Sequence, residues 1–274
     1  MRSILLLLSL SATSSLAPPP GALFNLSSFL LQLPTSTHGG VTEVKQPALD
    51  SYSSEYFYTD PADKGMTFWC PQNGATTSGS SFPRSELRET LDFDLSPGLH
   101  TLNATVTVLQ TTSTQSITIG QAHVDGLSGH CSIFVELEWT RGAVVAHLRD
   151  KACRGVDMAL GSYALGEPVS YSITLSGDTA RITTDKVAGK PYSYTWLPAS
   201  TRVYFKAGDY LQVKRGGGGG RCCCRARAPR AYVTPHTTPP FPPRRAGQRQ
   251  QRHAGRQGKD HLSVDAPRVE GRRS

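Results

Sequence analysis

Residues 133–149 read IFVELEWTRGAVVAHLR. Apolar side chains recur at every second position in the runs 133–139 and 143–149, and the short connection Thr140-Arg141-Gly142 separates these runs. The side chains of a strand point alternately to the two faces of a sheet, so each run predicts a half-buried strand. Two such strands joined by a tight, glycine-containing turn form an antiparallel hairpin. This stretch therefore indicates a β fold.

The same hairpin predicts a disulfide. Its antiparallel pairing brings together the residues just beyond its open end, and these include Cys131 and Cys153. Disulfides form in oxidising compartments such as the secretory pathway. We therefore expect a Cys131–Cys153 disulfide in an exported protein.

Further short alternating stretches extend the β pattern over the middle of the chain. They are rich in Ser, Thr, Tyr and Val, are separated by clusters of Gly, Pro, Asp and Asn, and include residues 102–109, 116–124, 171–175 and 203–212. Helical periodicity is weak, and no repeat of fixed period occurs. A body of about 190 residues has the size of one domain. We predict that residues 22–214 form a single all-β sandwich.

The N-terminal residues predict export. Arg2 precedes an apolar run at residues 4–10, and small residues precede a cleavage point after residue 17. This is the pattern of a secretory signal peptide, and the run is too short to span a bilayer. We assign residues 1–17 to a signal peptide and predict a secreted, extracellular protein without a membrane anchor. Acceptor sequons at Asn25 and Asn103 predict a glycoprotein.

Residues 215–274 differ in composition from the rest of the chain. They hold 14 of the 29 Lys and Arg but only 3 of the 21 Asp and Glu. The net charge of +8 belongs to this segment, because residues 1–214 hold 15 basic and 18 acidic side chains. A segment so poor in aliphatic residues cannot bury a core. We expect a disordered basic tail, or an extension translated from unspliced or frame-shifted sequence, rather than an arm that binds nucleic acid.

Three segments in the middle of the chain carry polar side chains at every second position. These side chains are Arg84, Glu86 and Arg88 in segment 84–88, Gln121 and His123 in segment 117–123, and Tyr204, Lys206, Tyr210 and Gln212 in segment 204–212. Residues two apart on a strand share a face, so three such strands side by side would line a groove. An ordinary solvent-exposed face is the alternative for any one strand. Cations mixed with Tyr and His favour a surface that binds a polyanion.

These residue types suit β-elimination in a polysaccharide of uronate sugars. The C5 proton of a uronate becomes acidic enough only when its carboxylate is neutralised, and Arg84, Gln121 and His123 are suited to that task. A base must then take the proton, and an acid must protonate the departing O4. His123 or Tyr210 is the candidate base, and Tyr210 is the candidate acid.

Other enzyme classes fit these segments less well. Hydrolytic glycosidases use two facing carboxylates, whereas Glu86 is the only carboxylate among the polar side chains that share a face in the three segments. The sequence has no nucleophile elbow of a serine hydrolase, and no cluster of His, Cys or carboxylates at metal-ligand spacing. We therefore predict neither a metal nor a cofactor. A non-catalytic module that binds acidic polysaccharide on the same fold remains an alternative.

The polar segments resemble the signature strands of the alginate lyases of polysaccharide lyase family 7. The matching blocks are RSELR at 84–88, QAH at 121–123 and YFKAGDYLQ at 204–212, and stretches at 24–34, 45–47 and 73–81 also look like family members. The resemblance covers residues 22–214. It implies a concanavalin A-like β-jelly roll of two antiparallel sheets. It also implies cleavage of alginate or a related polyuronate, such as glucuronan, to give unsaturated uronate ends.

The resemblance further implies a role for each residue. Arg84, Gln121 and His123 would neutralise the carboxylate at the cleavage site, and Tyr210 would be the catalytic acid. Tyr210 would also be the base for mannuronate, and His123 would be the base for guluronate. The supporting residues would be Arg88, Tyr204, Lys206 and Gln212, which bind the substrate chain, and Glu86, which pairs with the arginines. The expected partner is an acidic polysaccharide, bound by a monomer.

Two features depart from the family pattern. The middle residue of the QAH block is usually Ile or Val and is associated with substrate preference, but here it is Ala122. Family members continue past the residue that matches Gln212 into a final strand, whereas this sequence turns to glycine and arginine. We therefore expect the final strand to be missing, which would leave a sheet edge or the core uncovered.

Overall fold

The structure is a computed structural model that describes residues 17–37, 40–96, 98–126 and 129–212, and the strands 223–228 and 232–233. The chain divides into a unit of residues 1–237 and a unit of residues 238–274, and every described residue belongs to the first unit. Among the described residues, no helix is long and apolar enough to cross a membrane.

The described part of the chain contains seventeen strands and three short 3-10 helices. In chain order the strands are β1 (Phe29–Thr37), β2 (Gly40–Val44), β3 (Phe57–Thr59), β4 (Met66–Pro71), β5 (Arg84–Glu89), β6 (Phe93–Asp94), β7 (Leu99–Gln110), β8 (Ser116–Val124), β9 (Ile133–Thr140), β10 (Ala143–Arg149), β11 (Gly155–Ser162), β12 (Pro168–Ser176), β13 (Thr179–Thr184), β14 (Tyr192–Ser193), β15 (Arg202–Leu211), β16 (Cys223–Ala228) and β17 (Tyr232–Val233). The 3-10 helices are Pro20–Ala22, Ala48–Ser51 and Gly129–Ser132. The predicted all-β class is confirmed.

The strands form two antiparallel sheets. Sheet A has the order β11-β10-β9-β8-β15-β5-β1-β2, with β6 paired to β15. Sheet B has the order β14-β13-β12-β7-β16-β4-β3, with β17 paired to β7. Neighbours in both sheets are often far apart in the chain, so most of the pairing is long-range. This is the two-sheet sandwich that the sequence predicted.

The core lies between the two sheets and follows from the alternation along each strand. Leu87, Ala122 and Phe205 point inward from sheet A and are buried. Tyr171 of β12 crosses the core, and its hydroxyl donates a hydrogen bond to the Ile119 carbonyl of β8 over 2.7 Å. A Cβ atom at Gly120 would lie 2.6 Å from that hydroxyl, so the crossing needs glycine there. Sheet B therefore supports β8 directly behind the polar segments.

The hairpin that opened the sequence analysis is present as β9 and β10. Val144 pairs with Trp139, and the turn residues Arg141 and Gly142 have φ angles of 48° and 82°. Two positive φ angles are typical of the tight turns whose twist matches that of the strands. The Cα atoms of Cys131 and Cys153 lie 5.1 Å apart, and their sulfurs are joined as a disulfide. This pairing agrees with the one predicted from the hairpin register.

The far end of sheet B differs from the prediction that the final strand is missing. The strand β16 lies between β7 and β4, and Ala226 pairs with both Val108 and Phe68. The sequence signal was the alternation of arginine with small residues at 224–228, which glycine-rich and cysteine-rich neighbours obscured. The segment forms a strand because it pairs with β7 and β4, which lie far from it in the sequence, and local composition does not predict such pairing.

Candidate active site

The three polar segments lie side by side at the centre of sheet A. They belong to β8, β15 and β5, which are consecutive in the sheet order. Lys206 of β15 pairs with Gln121 on one side and with Arg88 on the other. Tyr204 pairs with His123. The three strands are thus neighbours in one sheet, which is the arrangement in which their polar rows would line one groove.

A bulge in β15 sets the position of Tyr210. The pairing with β8 shifts between Ala207 and Tyr210, and Tyr210 then lies opposite Arg84 of β5. Gly208 lies inside this bulge with a φ of 152°, and a Cβ atom there would be 2.6 Å from the Ser85 carbonyl oxygen. Only glycine allows β15 to approach β5 this closely.

Glu86 is the centre of the charged cluster. Its carboxylate accepts hydrogen bonds from the Gln121 amide nitrogen and, over 2.8 Å, from Lys206 Nζ. Arg84 Nη1 lies 3.6 Å from the same carboxylate. Arg88 pairs instead with Asp92, at 3.9 Å. The predicted support by Glu86 is thus present for Arg84, and it extends to Gln121 and Lys206 rather than to Arg88.

Lys206 is enclosed between Glu86 of β5 and Gln32 of β1. Only 3% of it is exposed, and Nζ donates hydrogen bonds to Glu86 and, over 2.9 Å, to Gln32 Oε1. Burial lowers the pKa of Lys206 to about 8, against the opposing effect of Glu86. Lys206 therefore holds Glu86 in place, because an ammonium group buried against a carboxylate is already neutralised. Its role in substrate binding stays a prediction. The sequence showed the polar face of β15 but not which groups it would cover.

Arg84 is placed to receive a carboxylate. Its guanidinium stacks on the Tyr210 ring, with Cζ 4.1 Å from the ring centroid. Its Nε atom is buried and has no hydrogen-bond acceptor among the described residues. An unpaired buried donor is costly, and a substrate carboxylate would satisfy it in the planar geometry that guanidinium favours.

The hydrogen bonds of Gln121 fix the tautomer of His123. Gln121 uses its NH₂ group to donate to Glu86, because a carboxylate only accepts. Its carbonyl oxygen Oε1 therefore faces His123 Nε2, 2.9 Å away, and Nε2 must carry the proton. The lone pair of the neutral imidazole then lies on Nδ1. This is the nitrogen that can act as a base.

The surroundings of His123 keep it neutral. Burial lowers its pKa well below the ordinary value, and the positive charges of Lys206, Arg84 and Arg88 add to that effect. Its ring stacks on Tyr204, with centroids 5.2 Å apart. A general base must be unprotonated before it reacts, so His123 is in the required state at neutral pH.

Tyr210 has the opposite character and retains its proton. Burial raises its pKa, whereas Arg84 and a hydrogen bond with Ser80 lower it. The Ser80 and Tyr210 hydroxyl oxygens are 2.9 Å apart. A protonated phenol next to a guanidinium is suited to act as an acid, because the phenolate it leaves is stabilised by the positive charge.

Among the outer residues of the predicted site, some reach the surface and one links neighbouring strands. Arg88 lies over the Tyr204 ring, with Cζ 4.0 Å from its centroid, and both side chains are half-buried. Gln212 uses its amide nitrogen to bond Thr118, at 2.7 Å, and Glu136, at 3.1 Å. Arg88 and Tyr204 thus reach the surface as a stacked pair, while Gln212 ties β15 to β8 and β9.

Several neighbours of the site were not predicted from the sequence. Ser80 and Gln32 come from a loop and from β1, where no alternating polar pattern marks them. Glu136 and Glu138 of β9 belong to the hairpin, whose alternation predicted only a half-buried strand. Pairing of β9 with β8 brings them next to Thr118 and Ser116. Only the order of strands in the sheet reveals these contacts.

Among the described residues, no group of three or more His, Cys, Asp or Glu side chains is arranged to hold a metal ion. The reactive side chains instead form one continuous set of contacts. Tyr210 touches Arg84, Arg84 pairs with Glu86, and Glu86 binds Gln121, which bonds His123. The four residues predicted to be catalytic thus share one face of sheet A.

Comparison with known proteins identifies the family of this chain. The family model described as "Alginate lyase" matches residues 24–229. A variant of family 7 alginate lyase A1-II', solved with substrate (GGMG), is 27% identical over 80% of this chain and 97% of that one, with a TM-score of 0.71. An alginate lyase from Pseudomonas aeruginosa is 31% identical over 76% of this chain and 98% of that one, with a TM-score of 0.68. An alginate lyase from Corynebacterium sp. shares the fold. It is 22% identical over 80% of this chain and 99% of that one, with a TM-score of 0.69. A comparison with curated proteins finds no match.

Proposed function

Because this chain belongs to the alginate lyase family and is a polysaccharide lyase, we propose that it cleaves alginate by β-elimination on the outer face of sheet A. The observation that carries the proposal is the contact path from Tyr210 through Arg84, Glu86 and Gln121 to His123. It joins a carboxylate receptor, a neutral base and a protonated acid.

The first step is the neutralisation of the substrate carboxylate. Arg84 Nε and the second N–H of Gln121 would donate to it, while Glu86 holds both side chains in place. As the C5–H bond breaks, negative charge spreads onto the carboxylate, and fixed donors stabilise that charge without reorganising. Arg88, held over the Tyr204 ring, would bind the carboxylate of the adjoining sugar by charge.

The second step moves two protons. The C5 proton goes to the base, its electron pair forms the C4–C5 double bond, and the C4–O4 bond breaks. The departing oxygen takes a proton from Tyr210. For guluronate, Nδ1 of His123 would receive the C5 proton. For mannuronate, where proton and leaving group lie on the same side, Tyr210 would serve both steps. It would first release its own proton to solvent, then take the C5 proton as phenolate and pass it to O4 as phenol.

The solved relatives support these roles. The substrate complex of A1-II' carries a histidine changed to asparagine and a tyrosine changed to phenylalanine, and its product complex carries the tyrosine change. Altering these two residue types is consistent with a reaction that depends on one histidine and one tyrosine. His123 and Tyr210 are the residues of these types in the contact path.

We further propose that the protein is secreted and acts as a monomer. The signal-peptide pattern of residues 1–17 and the sequons at Asn25 and Asn103 support export. The disulfide between Cys131 and Cys153 supports it independently, because such bonds persist in oxidising compartments. The N-terminal sequence of protein recovered from the culture medium would test this. Retention of residues 1–17 in a protein that stays in the cell would contradict it.

Product analysis on separated polymers tests the enzymatic proposal. Incubation with polyguluronate and polymannuronate should yield oligosaccharides with unsaturated ends, which absorb in the ultraviolet. Products from glucuronan alone would assign a glucuronan-type lyase instead. Binding to all three polymers without any cleavage would identify a non-catalytic module, and saturated products would identify a hydrolase.

A further inference from the structure

A loop serine contacts the hydroxyl of Tyr210. Residues 72–83 connect β4 to β5, and within this loop Ser80 Oγ lies 2.9 Å from Tyr210 Oη. The two residues are far apart in the sequence, so the contact exists only in the folded chain. The predictions from the sequence gave Ser80 no role.

The loop holds the Ser80 hydroxyl in a fixed position. The backbone N–H of Phe82 donates to Ser80 Oγ over 3.0 Å, and Ser80 Oγ lies 3.2 Å from the Phe82 carbonyl oxygen. The backbone N–H of Ser80 also donates to Thr77, over 3.0 Å. Immediately after Phe82, the carbonyl of Pro83 accepts a hydrogen bond from Leu211, which adjoins Tyr210. Ser80 and Tyr210 are therefore fixed relative to each other from both sides.

The proton count at Ser80 allows two arrangements. A serine hydroxyl has one proton to donate, and two acceptors are in reach, the Phe82 carbonyl and the Tyr210 oxygen. When Tyr210 is a phenol that donates to Ser80, the Ser80 proton goes to Phe82. In the second arrangement, Ser80 donates its hydrogen bond to the Tyr210 oxygen. When Tyr210 gives its proton away, only this arrangement supplies the phenolate with a hydrogen bond.

We propose that Ser80 is a positioning residue for Tyr210. Its hydroxyl donates a hydrogen bond to the Tyr210 oxygen as Tyr210 protonates the departing O4. The proposal rests on the proposed function, since it assigns Ser80 a task only if Tyr210 is the acid. The O–H bond of Tyr210 breaks, the leaving oxygen gains that proton, and the new phenolate accepts from Ser80. No further reactant is needed.

Other charges act on Tyr210 as well. Arg84 of β5 favours the phenolate, whereas Glu136 of β9 and Glu86 of β5 oppose it. Ser80 is the neutral donor in direct contact with the oxygen. A change at Ser80 therefore alters the stability of the phenolate without changing any charge in the site.

The test is kinetic and uses the full chain. Ser80→Ala should lower kcat on polyguluronate by about 10-fold to 100-fold, because a hydrogen bond to a charged group is lost. KM should stay within about twofold. Since the phenolate is less stable, the pKa of Tyr210 should rise and the high-pH limb of kcat should move upward by about one unit. Ser80→Thr, which keeps the hydroxyl, should restore both values.

Ser81→Ala is the matched control, because Ser81 is exposed in the same loop, and its kcat and pH limb should equal those of the wild type. A Ser80→Ala enzyme with unchanged kcat and pH limb would overturn the proposal. Should Ser80→Ala not fold, Ser80→Cys replaces it. Because a thiol is a weaker donor than a hydroxyl, Ser80→Cys should also lower kcat and move the high-pH limb upward. The proposed function fails separately, when the wild type forms no unsaturated product or when Tyr210→Phe remains active.

Discussion

At the residue scale, the site depends on protonation states that the fold imposes. His123 is neutral because it is buried next to three cations, and Tyr210 is protonated because it is buried. Glu86 supplies the negative charge that allows Arg84 and Lys206 to lie so close together. A carboxylate in this position organises the cations instead of reacting with substrate.

This account predicts different consequences for two cations of the site. Lys206→Met should lower the free energy of unfolding by about 3 kcal/mol, because it removes one partner of a buried ion pair. It should also lower kcat, because Glu86, which anchors both Arg84 and Gln121, loses the ammonium group that holds its carboxylate. Arg88→Met should mainly raise KM and change stability by less than about 1 kcal/mol, since its pair with Asp92 is partly exposed. Denaturant unfolding and steady-state kinetics measure both effects. A stable Lys206→Met protein with only a raised KM would instead support the substrate-binding role predicted from the sequence.

At the element scale, sheet A carries a second polar network beside the site. On β8 to β11, Glu138 accepts from Ser116, His147 Nε2 lies 3.0 Å from Glu138, and His147 Nδ1 lies 2.8 Å from Asp157. This network joins the edge strand β11 to the strand that carries Gln121 and His123. It is therefore expected to stiffen the sheet next to the reactive residues.

The network predicts a pH-dependent stability. The hydrogen bond with Glu138, opposed by burial and supported by Asp157, raises the pKa of His147 from 6.5 to about 9. The folded state thus favours the imidazolium. The imidazolium should add up to about 3 kcal/mol to the free energy of unfolding. This stabilisation should be fully present below pH 6.5 and lost as the pH rises through 9. The difference in unfolding free energy between wild type and His147→Gln should shrink over this window, and the comparison cancels other titrating groups. A constant difference from pH 6 to pH 10 would contradict the assignment.

The strands and the site differ in how far the sequence predicts them. Period-two patterns predicted β8, β9, β10 and β15 with nearly correct ends, and the polar rows predicted which faces carry Arg84, Gln121, His123 and Tyr210. The sequence did not predict that Lys206 is covered, because burial depends on Gln32 of β1 and on Glu86 of β5. It gave no sign of Ser80, because a loop contact has no periodicity.

At the scale of the whole molecule, the sandwich depends on a strand from the region that composition marked as a tail. Strand β16 separates β7 from β4, so it lies inside sheet B rather than at its edge. The family match also extends to residue 229. Low-complexity composition therefore identified a change in the sequence at residue 215 but not the boundary of the fold.

Truncation tests this boundary. A chain ending at residue 214 lacks β16 and should lose cooperative unfolding, because β7 and β4 would have unpaired edges within one sheet. A chain ending at residue 237 retains every described strand. It should keep its melting temperature within about 2 °C, below the shift that a loss of 1 kcal/mol produces. Equal stability of the two truncated chains would show that β16 contributes nothing to the sandwich.

Catalysis on sheet A is best tested by the rate at which Tyr210→Phe forms unsaturated ends on alginate, compared with its affinity for the polymer. The rate should fall by about 10²-fold to 10⁴-fold, the usual contribution of a general acid or base, while affinity stays within about threefold. Wild-type protein and the matched variant Tyr58→Phe, altered on sheet B, should both cleave normally. A Tyr210→Phe protein that still forms unsaturated ends at the wild-type rate would contradict the assignment of the reaction to this face of sheet A.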